Sequence, residues 1–156
     1  MSKPSIEFVR QKEVGREFEQ AMIPHLEEAG LRVIDVDHWS YNHKKGRDHI
    51  VEKDGYRNSL ELKLDRMSEK THKVCIDLDS LRKTTSAIWI FGFPRGNEVD
   101  VYTVKYLDLH PYVYQYAREN PTAVKKVGEW KQECVMIPKW TFINLPFVFK
   151  FKTIVL

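Results

Sequence analysis

The sequence has few cysteines and no long apolar run. Two cysteines in 156 residues, Cys75 and Cys134, cannot form a disulfide framework, and no Cys or His spacing matches a zinc site. The most apolar stretch, residues 140–156, is interrupted by an asparagine, a proline and two lysines. A membrane span needs about 20 predominantly apolar residues. The N-terminal residues have no apolar run typical of a signal peptide. We therefore expect an intracellular, cytoplasmic protein with reduced thiols and no membrane contact.

A strong net charge is also missing. Lys and Arg number 25 against 22 Asp and Glu, which gives +3. This excess is too small to argue by itself for nucleic acid or for an acidic partner. Hydrophobic residues make up 42% and charged residues 30%, which is the composition of a folded globular protein. We expect a single domain over residues 1–156, with a core over about 13–107. Residues 108–156, a helix and short strands, are expected to be a dimerisation or substrate-binding extension.

The hydrophobic pattern predicts an α/β fold with a central mixed β-sheet. Apolar residues at helical spacing predict a helix over residues 13–29, closed by Gly30, and alternation predicts a strand over 31–37. A hairpin around Asp54-Gly55 follows, then a mobile connection over 67–73. The later segments are a short helix from residue 77 or 79, strands at 86–93 and 98–107, a helix at 108–120, and strands near 134–137 and 147–155.

The hairpin brings charged residues together on one face. A two-residue Asp-Gly turn fixes the strand register, so Asp48 is predicted to lie opposite Glu61, and Lys63 shares the face of Glu61. Two opposed carboxylates repel unless a cation lies between them, and Mg²⁺ suits such a site. The alternative is an ordinary amphipathic strand whose charges are solvated.

The spacing of these residues resembles the PD-(D/E)xK nuclease superfamily. The matching pattern is Asp48, twelve intervening residues, then Glu61-Leu62-Lys63. Residues 15–30 also look like the first helix of the small archaeal-type Holliday-junction resolvases in that superfamily. The resemblance covers about residues 13–93 and implies a restriction-endonuclease-like αβββαβ core. Arg47 stands where the family has a proline.

The resemblance implies metal-dependent hydrolysis of phosphodiester bonds. Asp48 and Glu61 would be the principal ligands of Mg²⁺ or Mn²⁺, and the backbone carbonyl of Leu62 would complete the set. Glu19 would bind a metal or its water, and Lys63 would position or activate the attacking water. No organic cofactor is implied.

Two alternatives remain open on the first helix. Glu19 can also be interpreted as an ordinary solvated residue on the surface of the helix. Glu17 is a competing carboxylate, although a step of two residues turns it toward a different face of the helix. We prefer Glu19 as the site residue.

Basic residues flank the predicted site on both sides, and we expect them to contact DNA phosphates. Solvated loops are the alternative. The cluster before the site consists of Lys44, Lys45 and Arg47, and the cluster after it consists of Arg66, Lys70, His72 and Lys73.

The leading hypothesis is a Mg²⁺-dependent DNA endonuclease that uses a metal-activated water. Its substrate would be branched DNA, as for a Holliday-junction resolvase that acts in DNA recombination, or a specific site in duplex DNA. The protein would be encoded by a phage or associated with the nucleoid. One alternative is a catalytically inactive nuclease-fold DNA-binding module, and another is a structural or assembly protein. Aromatic residues near the C-terminus suggest a homodimer interface; they are Trp140, Phe142, Phe147, Phe149 and Phe151.

Overall fold

A computed structural model of the chain describes residues 6–35, 49–128 and 131–156. The first half contains α1 (Ile6–Glu28), β1 (Arg32–Asp35), β2 (His49–Lys53), β3 (Tyr56–Leu64), α2 (Ser68–Thr71), β4 (Lys73–Asp77) and α3 (Leu78–Lys83). The second half contains β5 (Ile88–Arg95), β6 (Glu98–Lys105), α4 (Tyr106–Glu119), a 3₁₀ turn (Pro121–Ala123), β7 (Val124–Val127), β8 (Gln132–Pro138), α5 (Lys139–Ile143) and β9 (Val148–Val155). The predicted α/β fold with a mixed sheet is confirmed.

Two sheets form the framework. The larger has six strands in the order β1-β2-β3-β5-β6-β9. Strands β3 and β5 are parallel, and the other neighbours in this sheet are antiparallel. The smaller sheet has the order β4-β8-β7 and is antiparallel. The parallel step from β3 to β5 needs a crossover, and the intervening chain supplies α2, β4 and α3.

Helix α1 covers one face of the six-stranded sheet. Its stripe of Phe18, Met22 and Leu26 is fully or nearly fully buried against apolar residues of five strands. The helix ends in a Schellman motif, in which Gly30 adopts φ +90 and Leu31 N donates to Leu26 O. The predicted Gly30 cap is therefore confirmed, while the helix begins at Ile6 rather than at residue 13. Residues 6–12 contain no glycine or proline that would stop it.

The opposite face of the large sheet is buried as well. Trp89 and Phe91 on β5 pack beneath β4 and β8, which contribute Val74, Ile76 and Val135, and beneath α3, α4 and α5. The sheet thus lies between a helix on one side and a mixed layer of strands and helices on the other.

Four points of the sequence-based description need correction or completion here. Residues 67–73, expected to be a mobile connection, include α2, and strand β4 directly follows it. The smaller sheet was not predicted. Residues 108–156 are no appendage, because β9 is an edge strand of the large sheet and β8 pairs with β4. Helix α4 also begins at Tyr106 rather than at residue 108.

Candidate active site

The hairpin has the register that its sequence predicts. Asp54 and Gly55 both adopt positive φ, 52 and 81, and the paired residues run from Lys53↔Tyr56 to His49↔Leu60. This is the geometry of a tight turn that matches the twist of its strands. Asp48 lies outside the described residues, so its position opposite Glu61 stays a prediction. The same holds for the cluster of Lys44, Lys45 and Arg47.

Glu61 and Lys63 form an ion pair on the face of the large sheet that is opposite to α1. Lys63 Nζ lies 3.0 Å from Glu61 Oε1, and the side chains are 38% and 8% exposed respectively. They point to the same side of β3 because side chains alternate along a strand. A buried carboxylate requires a nearby cation. The expected grouping of these two residues is therefore present, but Glu61 is enclosed rather than solvated.

Trp89 lies next to this pair and was not predicted as a site residue. The parallel pairing of β3 with β5 places Trp89 beside Glu61. Lys63 Nζ is 5.8 Å from the centre of the Trp89 ring, a distance compatible with a cation–π contact. No local sequence pattern indicates this neighbour, because residues 65–87 separate the two strands and only the tertiary fold pairs them.

Glu19 is 9% exposed on α1, which contacts β3. Gly15, one helical turn earlier, lines the same cavity as Lys63. Glu17 is exposed, so burial favours Glu19 over its competitor, and a solvated Glu19 is ruled out. The side chain of Leu62 belongs to the core beneath α1, and the role of its backbone carbonyl as a ligand stays a prediction.

Asp65, at the end of β3, is a further residue that sequence reasoning missed. Its carboxylate accepts hydrogen bonds from the backbone N–H of Cys75 at 2.8 Å and of Ser68 at 3.2 Å. Burial raises the pKa of Asp65, and these two hydrogen bonds partly oppose that effect. Asp65 thereby fixes α2 and β4 at the edge of the site.

The two cysteines meet beside the same cavity. Cys75 on β4 faces Met136 on β8, and Cys134 faces Asp77, so the thiols are diagonal neighbours. Both thiols are free, as expected from the sequence, and Cys75 is half-buried whereas Cys134 is buried. A hydrogen bond between them raises the pKa of Cys75, with burial adding to the effect, and lowers the pKa of Cys134.

The second basic cluster divides into two parts. Arg66 lines the cavity beside Lys63 and also, with Lys70, a neighbouring cleft of about 460 Å³. His72 ends α2 in a left-handed conformation with φ 56, and Lys73 begins β4; both are exposed.

Among the described residues, none of these side chains pairs with a carboxylate. In contrast, Arg82 and Lys83 on α3 both pair with Asp79.

The aromatic residues expected at a dimer interface separate into two groups. Phe142 is fully buried and contacts Phe91 at a ring distance of 5.1 Å, so the interface prediction is wrong for this residue. Phe147 packs against Tyr112 at 5.7 Å within the chain.

Trp140 and Phe149 are 76% and 62% exposed. Phe151 is partly buried against the core beneath α1.

The chemistry of the described side chains fits a hard divalent cation only in part. Glu61 and Glu19 are buried carboxylates, the ligand type that Mg²⁺ prefers. Within the described ranges, no three His, Cys, Asp or Glu side chains are grouped to hold a metal ion, and Asp48 lies outside those ranges. In the same ranges no helix is long and apolar enough to cross a membrane.

Comparison with known proteins gives no family for this chain. No protein-family model matches it, and no curated protein matches it.

Proposed function

We propose that this chain is a Mg²⁺- or Mn²⁺-dependent DNA endonuclease of the PD-(D/E)xK type. The observation that carries the proposal is the buried Glu61 carboxylate with the Lys63 ammonium 3.0 Å away, two residues apart on one strand. That strand belongs to a hairpin whose observed register would bring Asp48 opposite Glu61 if it continued by one residue. Carboxylates joined to a lysine in this way are suited to metal-assisted hydrolysis.

The metal ion, when bound by Asp48, Glu61 and Glu19, would offset negative charge on the phosphate under attack. Lys63 would orient the attacking water and contact a phosphate oxygen, as a cation held close to the Glu61 carboxylate and the Trp89 ring. Water forms the new bond to phosphorus and releases a proton to solvent, the bond to the leaving oxygen breaks, and that oxygen takes up a proton from solvent.

Local charge supports DNA as the substrate. Arg66 is exposed and lines the same cavity as Lys63, and Lys70 is exposed at the neighbouring cleft. Neither forms an ion pair in the described part of the chain. Cations that are not neutralised internally are available to phosphates. The exposed Trp140 and Phe149 support a homodimer, which would allow two strands to be cut. We assign this activity to the cytoplasm, where free thiols persist.

A cleavage assay tests the proposal directly. The full chain is incubated with Mg²⁺ or Mn²⁺ on a four-way junction, a flap, a linear duplex and single-stranded DNA. We expect cleavage of at least one substrate, loss of cleavage with a chelator, and a fall of about 10²-fold or more in Lys63→Ala. Lys83→Ala, at an exposed ion pair on α3, is the matched control and should retain activity.

Two outcomes would contradict the proposal. Absence of cleavage on all four substrates with both metals would exclude a nuclease, and binding without cleavage would support the inactive DNA-binding module instead. Equal cleavage by Lys63→Ala and the parent chain would remove Lys63 from the mechanism.

A further inference from the structure

A cavity of about 560 Å³ opens beside Lys63 and is lined by residues of β3, β5 and the smaller sheet. Its volume falls within the range typical of small-ligand sites, about 300–1,000 Å³. The walls are largely apolar and include Met67, Trp89, Phe91 and Met136. Lys63 also lines this space, so the cavity is continuous with the proposed active site.

Trp89 supplies a specific polar feature. The residue is 1% exposed, and its indole N–H has no hydrogen-bond partner among the described residues. A buried donor without an acceptor is unfavourable. Trp89 lines the cavity, but its indole nitrogen is inaccessible to solvent in this structure, so an acceptor on a bound ligand would reach this donor only after the cavity wall shifts.

We propose that this cavity receives one unpaired nucleobase of the DNA substrate, an inference that rests on the proposed function. A base within a duplex is stacked and cannot enter, whereas an extruded base has two apolar faces and acceptor atoms on its edge. Lys63 at the cavity wall and Arg66 beside it are placed to contact the flanking phosphates. The preferred substrate is therefore DNA with an unpaired base next to the cut, as at a bulge, flap or junction.

The test measures binding separately from cleavage. Ca²⁺ replaces Mg²⁺, and fluorescence anisotropy compares two duplexes of equal length that differ by one extruded 2-aminopurine. We expect the full chain to bind the bulged duplex about tenfold more tightly than the paired duplex, in keeping with the usual contribution of base stacking. The 2-aminopurine fluorescence should change on binding.

Variants separate the cavity from the rest of the surface. Met136→Trp fills the space and should abolish the preference for the bulged duplex, so that both duplexes bind with about equal affinity. Met136→Leu nearly conserves the side-chain volume and should retain the preference. Trp89→Phe removes only the indole donor and ring area, and should weaken the preference severalfold. Tyr56→Phe is the control at a side chain that is 78% exposed next to the hairpin turn and should leave the preference unchanged. Thermal unfolding checks that each variant is folded.

Equal affinity for bulged and paired DNA would overturn the inference, as would an unchanged preference in folded Met136→Trp and Trp89→Phe. Cleavage of both duplexes at equal rates in Mg²⁺ would leave the nuclease proposal standing without the cavity. A strong bulge preference without any cleavage would keep the cavity and reject the nuclease.

Discussion

Lys63 Nζ lies 3.0 Å from Glu61 Oε1, and the two partners differ in burial, since the lysine side chain is 38% exposed and the carboxylate 8%. The negative charge is thus enclosed, while the positive charge reaches the surface beside the cavity. A carboxylate in this setting depends on a neighbouring cation. The lysine provides one, and a divalent metal ion would provide a second.

Lys63→Met tests how far Glu61 depends on the lysine. The variant keeps much of the side-chain volume and removes the charge, so it leaves a buried carboxylate with less compensation. We expect the metal-free protein to lose about 1–3 kcal/mol of unfolding free energy, less than for a fully buried pair because Lys63 is partly solvated. Urea unfolding measures this loss.

Lys83→Met is the control for that measurement. Lys83 Nζ lies 3.1 Å from Asp79 Oδ2, but both side chains are more than half exposed. Surface pairs of this kind contribute about 0–1 kcal/mol. Equal losses in the two variants would show that the burial of Glu61 has no energetic consequence.

Metal binding should raise the thermal stability of the chain. A ligand that binds only the folded state at 100 times its dissociation constant adds about 2.7 kcal/mol. We expect Mg²⁺ or Mn²⁺ to raise the unfolding temperature of the parent chain and to have a much smaller effect on Glu61→Gln, which removes a ligand charge. Glu98→Gln, at an exposed ion pair with Arg95, is the control. The same temperature shift in Glu61→Gln and the parent would place the metal elsewhere.

The parts of the fold that depend on neighbouring residues could be predicted from sequence. The turn residues Asp54 and Gly55 determine the hairpin register, and Gly30 marks the end of α1. These features follow from local backbone preferences. The grouping of Glu61 with Lys63 follows equally from the alternation of a strand.

The second layer could not be predicted, because it depends on distant residues. Strand β4 has only five residues and pairs with β8, where Cys75 meets Met136 across 60 intervening positions. No local pattern specifies such a partner. The burial of Glu61 and the cavity result from this layer, and the neighbour Trp89 results from the pairing of β3 with β5, which are also distant in sequence. Sequence reasoning therefore found the charged pair and missed its surroundings.

Gly92 on β5 is predicted to be intolerant of a side chain. An added Cβ would lie 2.7 Å from the ring of Phe18 on α1 and 2.9 Å from a methyl group of Val99. Phe18 is fully buried, so its ring would have to shift within the packed core. We expect Gly92→Ala to lower the unfolding free energy by about 1–3 kcal/mol, the usual effect of overpacking, as measured in urea.

Gly15 provides the matched glycine substitution. It lies within α1, and nothing lies within 4 Å of an added Cβ. Gly15→Ala should therefore stabilise the chain by about 0.5–1 kcal/mol, because alanine favours the helix. A stable Gly92→Ala variant would indicate that α1 packs less closely on β5 than the structure describes.

The hydrogen bond between Cys75 and Cys134 should set the pH at which Cys134 reacts. It lowers the pKa of Cys134 from the ordinary value of 9.0, against the opposing effect of burial. Cys75→Ala removes the donor and leaves the burial, so the pKa of Cys134 should rise. The alkylation rate of Cys134 by iodoacetamide, followed by mass spectrometry, should therefore reach its midpoint at a higher pH in the variant.

The reciprocal variant Cys134→Ala should lower the pKa of Cys75, since that hydrogen bond is the largest cause of its raised value. Unchanged midpoints in both variants would mean that the two thiols titrate independently and do not share a proton across β4 and β8.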